Sequence, residues 1–272
     1  MYFHKLAPPG DLRGYVRYFW TLESSSEASL PSAFTTLADG CPGLIVQRAG
    51  DSPFCDGTGK AWPRSFLYGQ TTRANHISTS GPFQTLGICF EPSALTAVFG
   101  LNAAELTDAC LDLPLLAAPQ AGNLAEQLAA ISAVPECVDH LAAFLRAGTA
   151  RHRTQVDSRV RQSLAQLLES GGRVSLPDLQ RAVGLSERSL QRKFKHSVGI
   201  SPQLFARICR FQASLAQLRT RQYGKFSDLA FELEYADQSH HIRAFREFAG
   251  ASPQQVRQRA QPGVPEFPEL LR

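Results

Sequence analysis

The sequence lacks the features of a membrane or exported protein. No apolar run among its 272 residues approaches the roughly 20 residues that a membrane-spanning helix requires. The first residues, Met1 to Lys5, lack the apolar core of a signal peptide. These absences predict a cytoplasmic protein with no membrane partner.

The sequence also gives little support for metal or thiol chemistry. Its six cysteines are far apart, without a closely spaced pair typical of zinc sites: Cys41, Cys55, Cys89, Cys110, Cys137 and Cys209. The N-terminal half has no His-x-His pair with a following carboxylate, the pattern that a metal-binding cupin needs. We therefore predict no metal, no cofactor and no catalytic residues, and buried, reduced thiols in a protein that is not an enzyme.

Charge is divided unequally along the chain. Residues 151–260 carry 19 Lys and Arg against 9 Asp and Glu, a net charge of +10, whereas residues 1–150 carry 8 against 13, a net charge of −5. Arginine, which supplies most of the positive charge, suits bidentate contacts to phosphate and guanine. The division predicts a polyanion-binding half joined to a half with another task.

A pattern of residues in the basic half recurs about fifty positions downstream. Asp178, Leu179 and Val183 align with Asp228, Leu229 and Leu233. A second set of residues aligns at a shift of fifty-one positions instead of fifty. Its members, Ser186, Arg192, Phe194, Gly199, Ser201 and Pro202, match Asp237, Arg243, Phe245, Gly250, Ser252 and Pro253. Because the slip falls where a turn would join two helices, the pattern predicts two copies of one helix-turn-helix module.

Helix-start and turn signals agree with this interpretation. Ser175 is expected to cap the first helix of the first module, and Ser186 the second, with Gly184 supplying the positive φ of the turn. Asp237 is expected to cap the corresponding second helix of the second module. A helix from Pro202 to about Arg219 joins the modules; at 1.5 Å per residue it spans about 28 Å, a little under one turn of DNA.

Each second helix presents polar residues on the side opposite its apolar residues. On the first, Arg188, Gln191, Arg192 and Lys195 follow the spacing i, i+3, i+4, i+7 and share one face. An ordinary solvated basic face would look the same, but the second helix repeats the feature. Its outward residues are Gln238, Ser239, Arg243 and Arg246. Arg and Gln have the donor geometry that reads base edges in a major groove.

Residues from about 156 to 258 resemble the DNA-binding domain of the AraC/XylS family of bacterial transcription regulators. The resemblance rests on both modules and on the segments 235–245 and 250–253. It implies base contacts by Arg188, Gln191 and Arg192 in the first module and by Gln238, Ser239 and Arg243 in the second. Lys195, His240 and Arg246 are assigned to phosphate or to no fixed partner.

Two residues depart from the family pattern. Glu234 stands where the family usually has Gly in the second turn, and a non-Gly residue at positive φ costs on the order of 1 kcal/mol. His241 stands at a position that is usually aromatic or aliphatic; we interpret it as a core histidine with a hydrogen-bond partner.

The N-terminal half shows short strand patterns followed by helical ones. Strands are expected near 15–22, 43–47, 65–69 and 83–90, in an antiparallel sheet or small barrel. Helices are expected at 92–99, after Asn102 with Glu105 in a capping box, and around 120–131 and 135–147.

Scattered matches at 18–20, 39–45 and 69–70 resemble a cupin-like sensor domain. Trp20, Tyr68, Gln70 and Arg73 are proposed to line a pocket for a small anionic or aromatic ligand, the alternative being that Trp20 is simply core.

Together these observations predict an α+β protein of two domains, with a β-rich sensor or dimerisation domain at 1–150, an all-α DNA-binding domain at 151–260 and a tail at 261–272. The expected partners are double-stranded DNA, RNA polymerase, a small-molecule effector and a second copy of the chain. Two alternatives stay open: a cysteine-based alkylation-repair enzyme fused to a DNA-binding domain, and an architectural DNA binder without effector control.

Overall fold

A computed structural model of the chain describes residues 2–24, 32–49, 53–116, 121–152, 156–220 and 226–259. The predicted tail 261–272 lies outside these ranges. The N-terminal part contains the following strands: β1 (Tyr2–Leu6), β2 (Val16–Ser24), β3 (Ser32–Thr36), β4 (Gly43–Ala49), β5 (Cys55–Asp56), β6 (Ser65–Tyr68), β7 (Asn75–Thr79), β8 (Phe83–Phe90) and β9 (Cys110–Asp112).

The strands form two antiparallel sheets. The larger has the order β1-β2-β8-β4-β6-β9 and the smaller the order β3-β7-β5. All four predicted strands lie in the larger sheet, which confirms a β-rich domain. Gly87, on β8, pairs with Trp20 on β2, and a Cβ atom at Gly87 would lie 2.1 Å from the indole. A glycine is therefore required at this position to leave room for the indole of Trp20.

Three helices share a buried apolar cluster with the larger sheet: α1 (Ala94–Phe99), α2 (Leu124–Ala130) and α3 (Val134–His152). Asn102 opens a short 3-10 turn, Ala103–Leu106, in which its side chain accepts from Ala104 N and donates to Glu105. The apolar stripe of α3, with Val138, Leu141 and Leu145, is buried inside its own domain. It is therefore not free to pair with a second copy.

The described residues of the C-terminal part form helices joined by turns, and no strands. Its helices are α4 (Ser158–Glu169), α5 (Leu176–Val183), α6 (Glu187–Val198), α7 (Pro202–Thr220), α8 (Phe226–Glu232), α9 (Gln238–Ala249) and α10 (Pro253–Arg259). The predicted caps form: Ser175 accepts from Asp178 N, Ser186 from Ser189 N, and Asp237 from His240 N. Helices α5 and α6 make the first predicted module, and α8 and α9 make the second.

The turns of the two modules have the same backbone conformation in spite of their different residues. Gly184 has φ +63° and Glu234 has φ +56°. Glu234 is exposed, and its carbonyl rather than its side chain accepts a hydrogen bond from Arg210. The second turn is therefore not rebuilt around the glutamate, which occupies a left-handed conformation that glycine adopts more easily.

One buried apolar cluster extends across both halves of the chain. It joins Trp20, Leu22 and Cys41 of the β domain to core residues of the helical domain such as Phe211 and Phe245. The two parts of the chain therefore share a core on this face of the molecule, whereas a second cluster lies wholly within the N-terminal part. Among the described residues, no helix combines the length and the apolar character needed to cross a membrane.

Replacing Glu234 with glycine should stabilise the protein. Relief of the left-handed conformation outweighs the extra backbone entropy of glycine in the unfolded chain, so a gain of about 0.5–1 kcal/mol in the free energy of unfolding is expected. Urea unfolding of the two proteins measures it. Glu234→Ala is the matched control, because it removes the same side chain and retains the Cβ atom; an equal gain from alanine would contradict the explanation.

Candidate nucleic-acid interface and ligand cavity

The first predicted base-reading face is exposed on α6. Arg188, Arg192 and Lys195 are exposed, and none of them forms an ion pair within the described part of the chain. Gln191 is half-buried, and its amide donates to Glu187 Oε1 at 2.9 Å. The opposite face of the helix is held by buried Leu190, Phe194 and Val198, so the polar residues project together from a fixed element.

Lys193 has a different role from its basic neighbours. Its ammonium group lies 2.6 Å from Asp157, the residue that caps α4. This ion pair ties α6 to α4, and it lowers the pKa of Asp157 through the hydrogen bond from Lys193. Lys193 therefore orients the recognition helix within its domain.

The second predicted face lies on α9. Gln238, Ser239, Arg243 and Arg246 are exposed. His240 is half-buried, and its ring meets the ring of Tyr235 edge-on at a centroid distance of 5.4 Å. His240 is thus partly used in packing, whereas the other four residues are free to meet a partner.

His241 is part of the core beneath this face. Its side chain is 0 % exposed, and its Nε2 atom lies 2.7 Å from Ser214 Oγ on α7. Burial lowers the pKa of His241 to about 4, because the charged form cannot be solvated there. The interpretation of His241 as a core histidine with a hydrogen-bond partner is confirmed.

Helix α7 holds the two modules in a fixed relation. It runs without interruption for 19 residues, about 28 Å at 1.5 Å per residue. Near its start, Phe205 packs edge-on against Phe194 of α6 at 5.7 Å, and further along Phe211 packs against Phe245 of α9 at 5.0 Å. Both recognition helices are therefore anchored on one rigid rod.

A cavity of about 560 Å³ lies between the two sheets of the N-terminal domain. Of the four residues predicted to line a pocket, Trp20, Tyr68 and Arg73 do so. Gln70 lies elsewhere: it is buried, and its amide donates to Gly40 O at 2.8 Å. Trp20 is only 3 % exposed, so it belongs to the core and to the cavity wall at once.

Two buried polar groups of the cavity wall were not anticipated from the sequence. Tyr18 has a buried hydroxyl that bonds no nitrogen or oxygen atom of the described residues. Asp39 is 5 % exposed and accepts from Cys41 N at 3.0 Å. Burial raises the pKa of Asp39 to about 7, and this effect outweighs the Cys41 hydrogen bond and the nearby charge of Arg17. A polar residue at an alternating strand position was the only sequence signal for Tyr18.

Two family models match the chain. Residues 4–112 match a domain of unknown function (DUF6597), and residues 179–259 match a helix-turn-helix domain that covers both modules. The C-terminal domain is an AraC-type helix-turn-helix domain. A sequence search against curated proteins gives no match.

Three solved structures illustrate what the chain is similar to. ToxT from Vibrio cholerae has a TM-score of 0.48 and 12% identity, covering 88% of this chain and 97% of its own. The C-terminal domain of AraT, a response regulator from Geobacillus stearothermophilus, has a TM-score of 0.37 and 20% identity over 42% of this chain and 94% of its own. The AraC-like activator CuxR has a TM-score of 0.27 and 14% identity over 79% and 86%.

The substitution Arg192→Ala should weaken binding to the DNA site that the chain prefers by about 1–3 kcal/mol and relax the preference at one base pair of that site. Binding to a panel of point-mutated sites checks this. Arg181→Ala, an exposed arginine on α5 of the same module, is the control. An equal loss on every sequence would show that Arg192 contacts phosphate and reads no base.

Removing Arg243 should affect a different part of the same site. If α9 enters the next major groove, Arg243→Ala weakens binding at base pairs about one helical turn from those affected by Arg192→Ala. Base-resolution footprints of the two variants provide the measurement. Coincident footprints would contradict simultaneous use of both modules.

The free energy of unfolding should decrease as the pH is lowered, because His241 becomes protonated more readily in the unfolded chain than in the folded protein. Its pKa is about 4 when folded and 6.5 ordinarily, so the neutral form stabilises the fold fully above pH 6.5, and this contribution is lost as the pH falls towards 4. The loss reaches about 3 kcal/mol at most. Urea unfolding across this range should give a flatter profile for His241→Phe than for the parent or for His240→Phe; three parallel profiles would contradict the assignment.

Proposed function

We propose that the chain is a one-component transcription regulator that binds specific double-stranded DNA through two helix-turn-helix modules and responds to a small molecule in its N-terminal cavity. The observation that carries the DNA-binding part is the pair of capped recognition helices, α6 and α9, held on α7 with their arginines exposed. The net charge of +10 over residues 151–260 supports it, because positive charge releases counterions from DNA.

The first connection between cavity and DNA-binding domain is the segment 36–39. Thr36, Leu37 and Asp39 line the cavity. Ala38, between them, faces the other domain: its N–H donates to Phe248 O at 3.1 Å, and its carbonyl accepts from Gln212 Nε2 at 2.7 Å. Phe248 lies in the last turn of α9 and Gln212 on α7. A ligand that moves this segment therefore moves the backbone that holds the second recognition helix.

The second connection reaches the end of α6. Asp108, Ala109 and Cys110 line the cavity. Thr107, next to them, donates through its hydroxyl to the carbonyl of Gly199 at 2.8 Å. Gly199 ends α6 with φ +104°, and a Cβ atom there would lie 3.1 Å from both Ala103 O and Thr107 Oγ1. The cavity wall and the end of the first recognition helix are thus separated by one residue.

These two connections provide a physical route by which a ligand in the cavity would control the recognition helices. A ligand that binds one arrangement of the cavity wall more tightly than another shifts the positions of both recognition helices, and coupling of this kind is typically worth about 1–3 kcal/mol. We propose that the result is a change in DNA affinity or in contact with RNA polymerase. If the regulator acts in the cytoplasm as a homodimer, a surface other than the buried stripe of α3 must form the dimer.

The cysteine-based repair enzyme is less well supported. A methyl-accepting thiol must ionise readily, whereas burial raises the pKa of Cys89 and of Cys209. The architectural binder makes no use of the cavity or of the two connections. Sequence-selective binding that changes when the cavity is filled would separate the regulator from it.

The test is selection of DNA sites by the full chain from a random pool. A regulator enriches a sequence with two elements about one helical turn apart, and binding falls steeply with salt because counterions are released. Recovery of sequences no different from the starting pool would contradict specific recognition.

Loss of the Gln212 amide should loosen the contact between the domains. Gln212→Leu leaves the buried Ala38 carbonyl unpaired at a cost of about 1–3 kcal/mol. Hydrogen exchange of the full chain should become faster at Ala38 and around Phe248, while the interior of α7 keeps its protection. Gln162→Leu, which removes an exposed amide bonded to Ala182 O within the helical domain, is the control; unchanged exchange in Gln212→Leu would contradict the first connection.

A further inference from the structure

The chemistry of the cavity wall indicates what kind of ligand it accepts. Much of the wall is aromatic, and both tryptophans of the chain, Trp20 and Trp62, belong to it. Rings pack on such walls by offset or edge-to-face contacts, as Trp62 already does with Phe66 at 5.1 Å. An aromatic body is therefore the part of a ligand that this wall fits.

Positive charge lies where the cavity meets solvent. Lys60 and Arg73 line the cavity and are exposed, and neither forms an ion pair with another described residue. The acidic residues nearby are already engaged in their own turns. Asp56 accepts from Thr58 N, Thr58 Oγ1 and Lys60 N, and Asp108 accepts from Thr72 N and Thr72 Oγ1. Both carboxylates keep their charge, but Lys60 and Arg73 are the charged side chains of this wall for which the described residues show no side-chain hydrogen bond or ion pair.

Two polar groups of the cavity wall, the Tyr18 hydroxyl and the Asp39 carboxyl, are buried. The Tyr18 hydroxyl is buried beside the Cys89 thiol, a weak partner, and bonds no nitrogen or oxygen atom of the described residues, which is costly unless a ligand or water completes it. Asp39 lies on the same wall with a pKa of about 7, so that near neutral pH its carboxyl is available in a form that can donate as well as accept. A hydroxyl or carbonyl on the ligand would pair with these groups.

We propose that the cavity binds an aromatic acid that carries a hydrogen-bonding substituent at the end remote from its carboxylate. The carboxylate meets Arg73 and Lys60 at the opening, the ring packs between Trp20 and Trp62, and the substituent reaches the Tyr18 hydroxyl. This assignment rests on the proposed function, in which the same cavity is the effector site.

Four probes that differ in one group each test the assignment on the full chain. They are para-hydroxyphenylpropanoate, phenylpropanoate without the hydroxyl, the methyl ester of the first acid without the charge, and para-hydroxyphenylethylamine with the opposite charge. Calorimetry gives each Kd. Tryptophan emission, excited where phenols do not absorb, reports occupancy because both tryptophans line the cavity. The hydroxylated acid is expected to bind tightest, with the ester and the amine weaker by about tenfold or more.

Variants then assign each end of the ligand separately. Arg73→Gln should weaken both acids by about tenfold and leave the ester unchanged, whereas Arg64→Gln, which changes an exposed arginine that does not line the cavity, should leave all four Kd values unchanged. Tyr18→Phe should weaken the hydroxylated acid by about two- to tenfold and leave phenylpropanoate unchanged. Tyr15→Phe is its control. A merely structural role for either residue would weaken all probes together and contradict the assignment.

The outcomes separate this assignment from the proposed function. Equal or tighter binding of the ester or the amine, or no binding of any acid by a chain that still selects DNA sites, overturns the ligand class and leaves the regulator intact. The expected probe pattern in a chain that selects no DNA site supports the ligand class and overturns the regulator.

Discussion

The arrangement of the whole molecule depends on how the N-terminal domain holds the ends of the two recognition helices. The glycines that end α6 and α9, Gly199 and Gly250, occupy equivalent positions in the repeated modules and both have positive φ. Each lies against the β domain: a Cβ atom on Gly199 would be 3.1 Å from Ala103 O, and one on Gly250 would be 3.2 Å from the side chain of Ala74. The repeat therefore provides two matching docking points for one partner domain.

The cavity wall and the contacts to α6 and α9 belong to the same segments of the N-terminal domain. The residues that touch the helix ends, Ala38 and Thr107, sit in segments whose neighbours line the cavity. The opposite faces of α6 and α9 stay exposed for a polyanion. The contacts to the N-terminal domain and the exposed basic residues thus lie on different parts of the same two helices, so the proposed effector control needs no competition for the same residues.

Features set by local sequence were predictable, and features set by distant pairing were not. Caps at Ser175, Ser186 and Asp237 follow from short-range hydrogen bonds, and the positive φ of Glu234 follows from its place in a repeated turn. The five strands that went unpredicted are mostly short or at sheet edges, and each exists because of a distant partner; β9, for example, pairs with β6 from about forty positions away. Gln70 was predicted to line the pocket, yet its amide bonds Gly40 O instead. The shared core could not be predicted for the same reason. In the sequence, Gln212 is a polar residue within a helix, and its burial is explained only by its hydrogen bond to Ala38 O, 174 positions away.

The central claim is that the N-terminal domain fixes the position of both recognition helices in the free protein. Double electron–electron resonance, which measures the distance between two spin labels, tests it most directly. Cys55 and Cys110, the free cysteines that are not buried, are first replaced by serine. Labels are then attached at exposed positions of the full chain, Ala143 on α3 with Arg181 on α5 in one sample, and Ala143 with Ala236 beside α9 in the other. The account predicts one narrow distance distribution for each pair. Broad distributions for both pairs would show two domains that move independently, and would contradict the account.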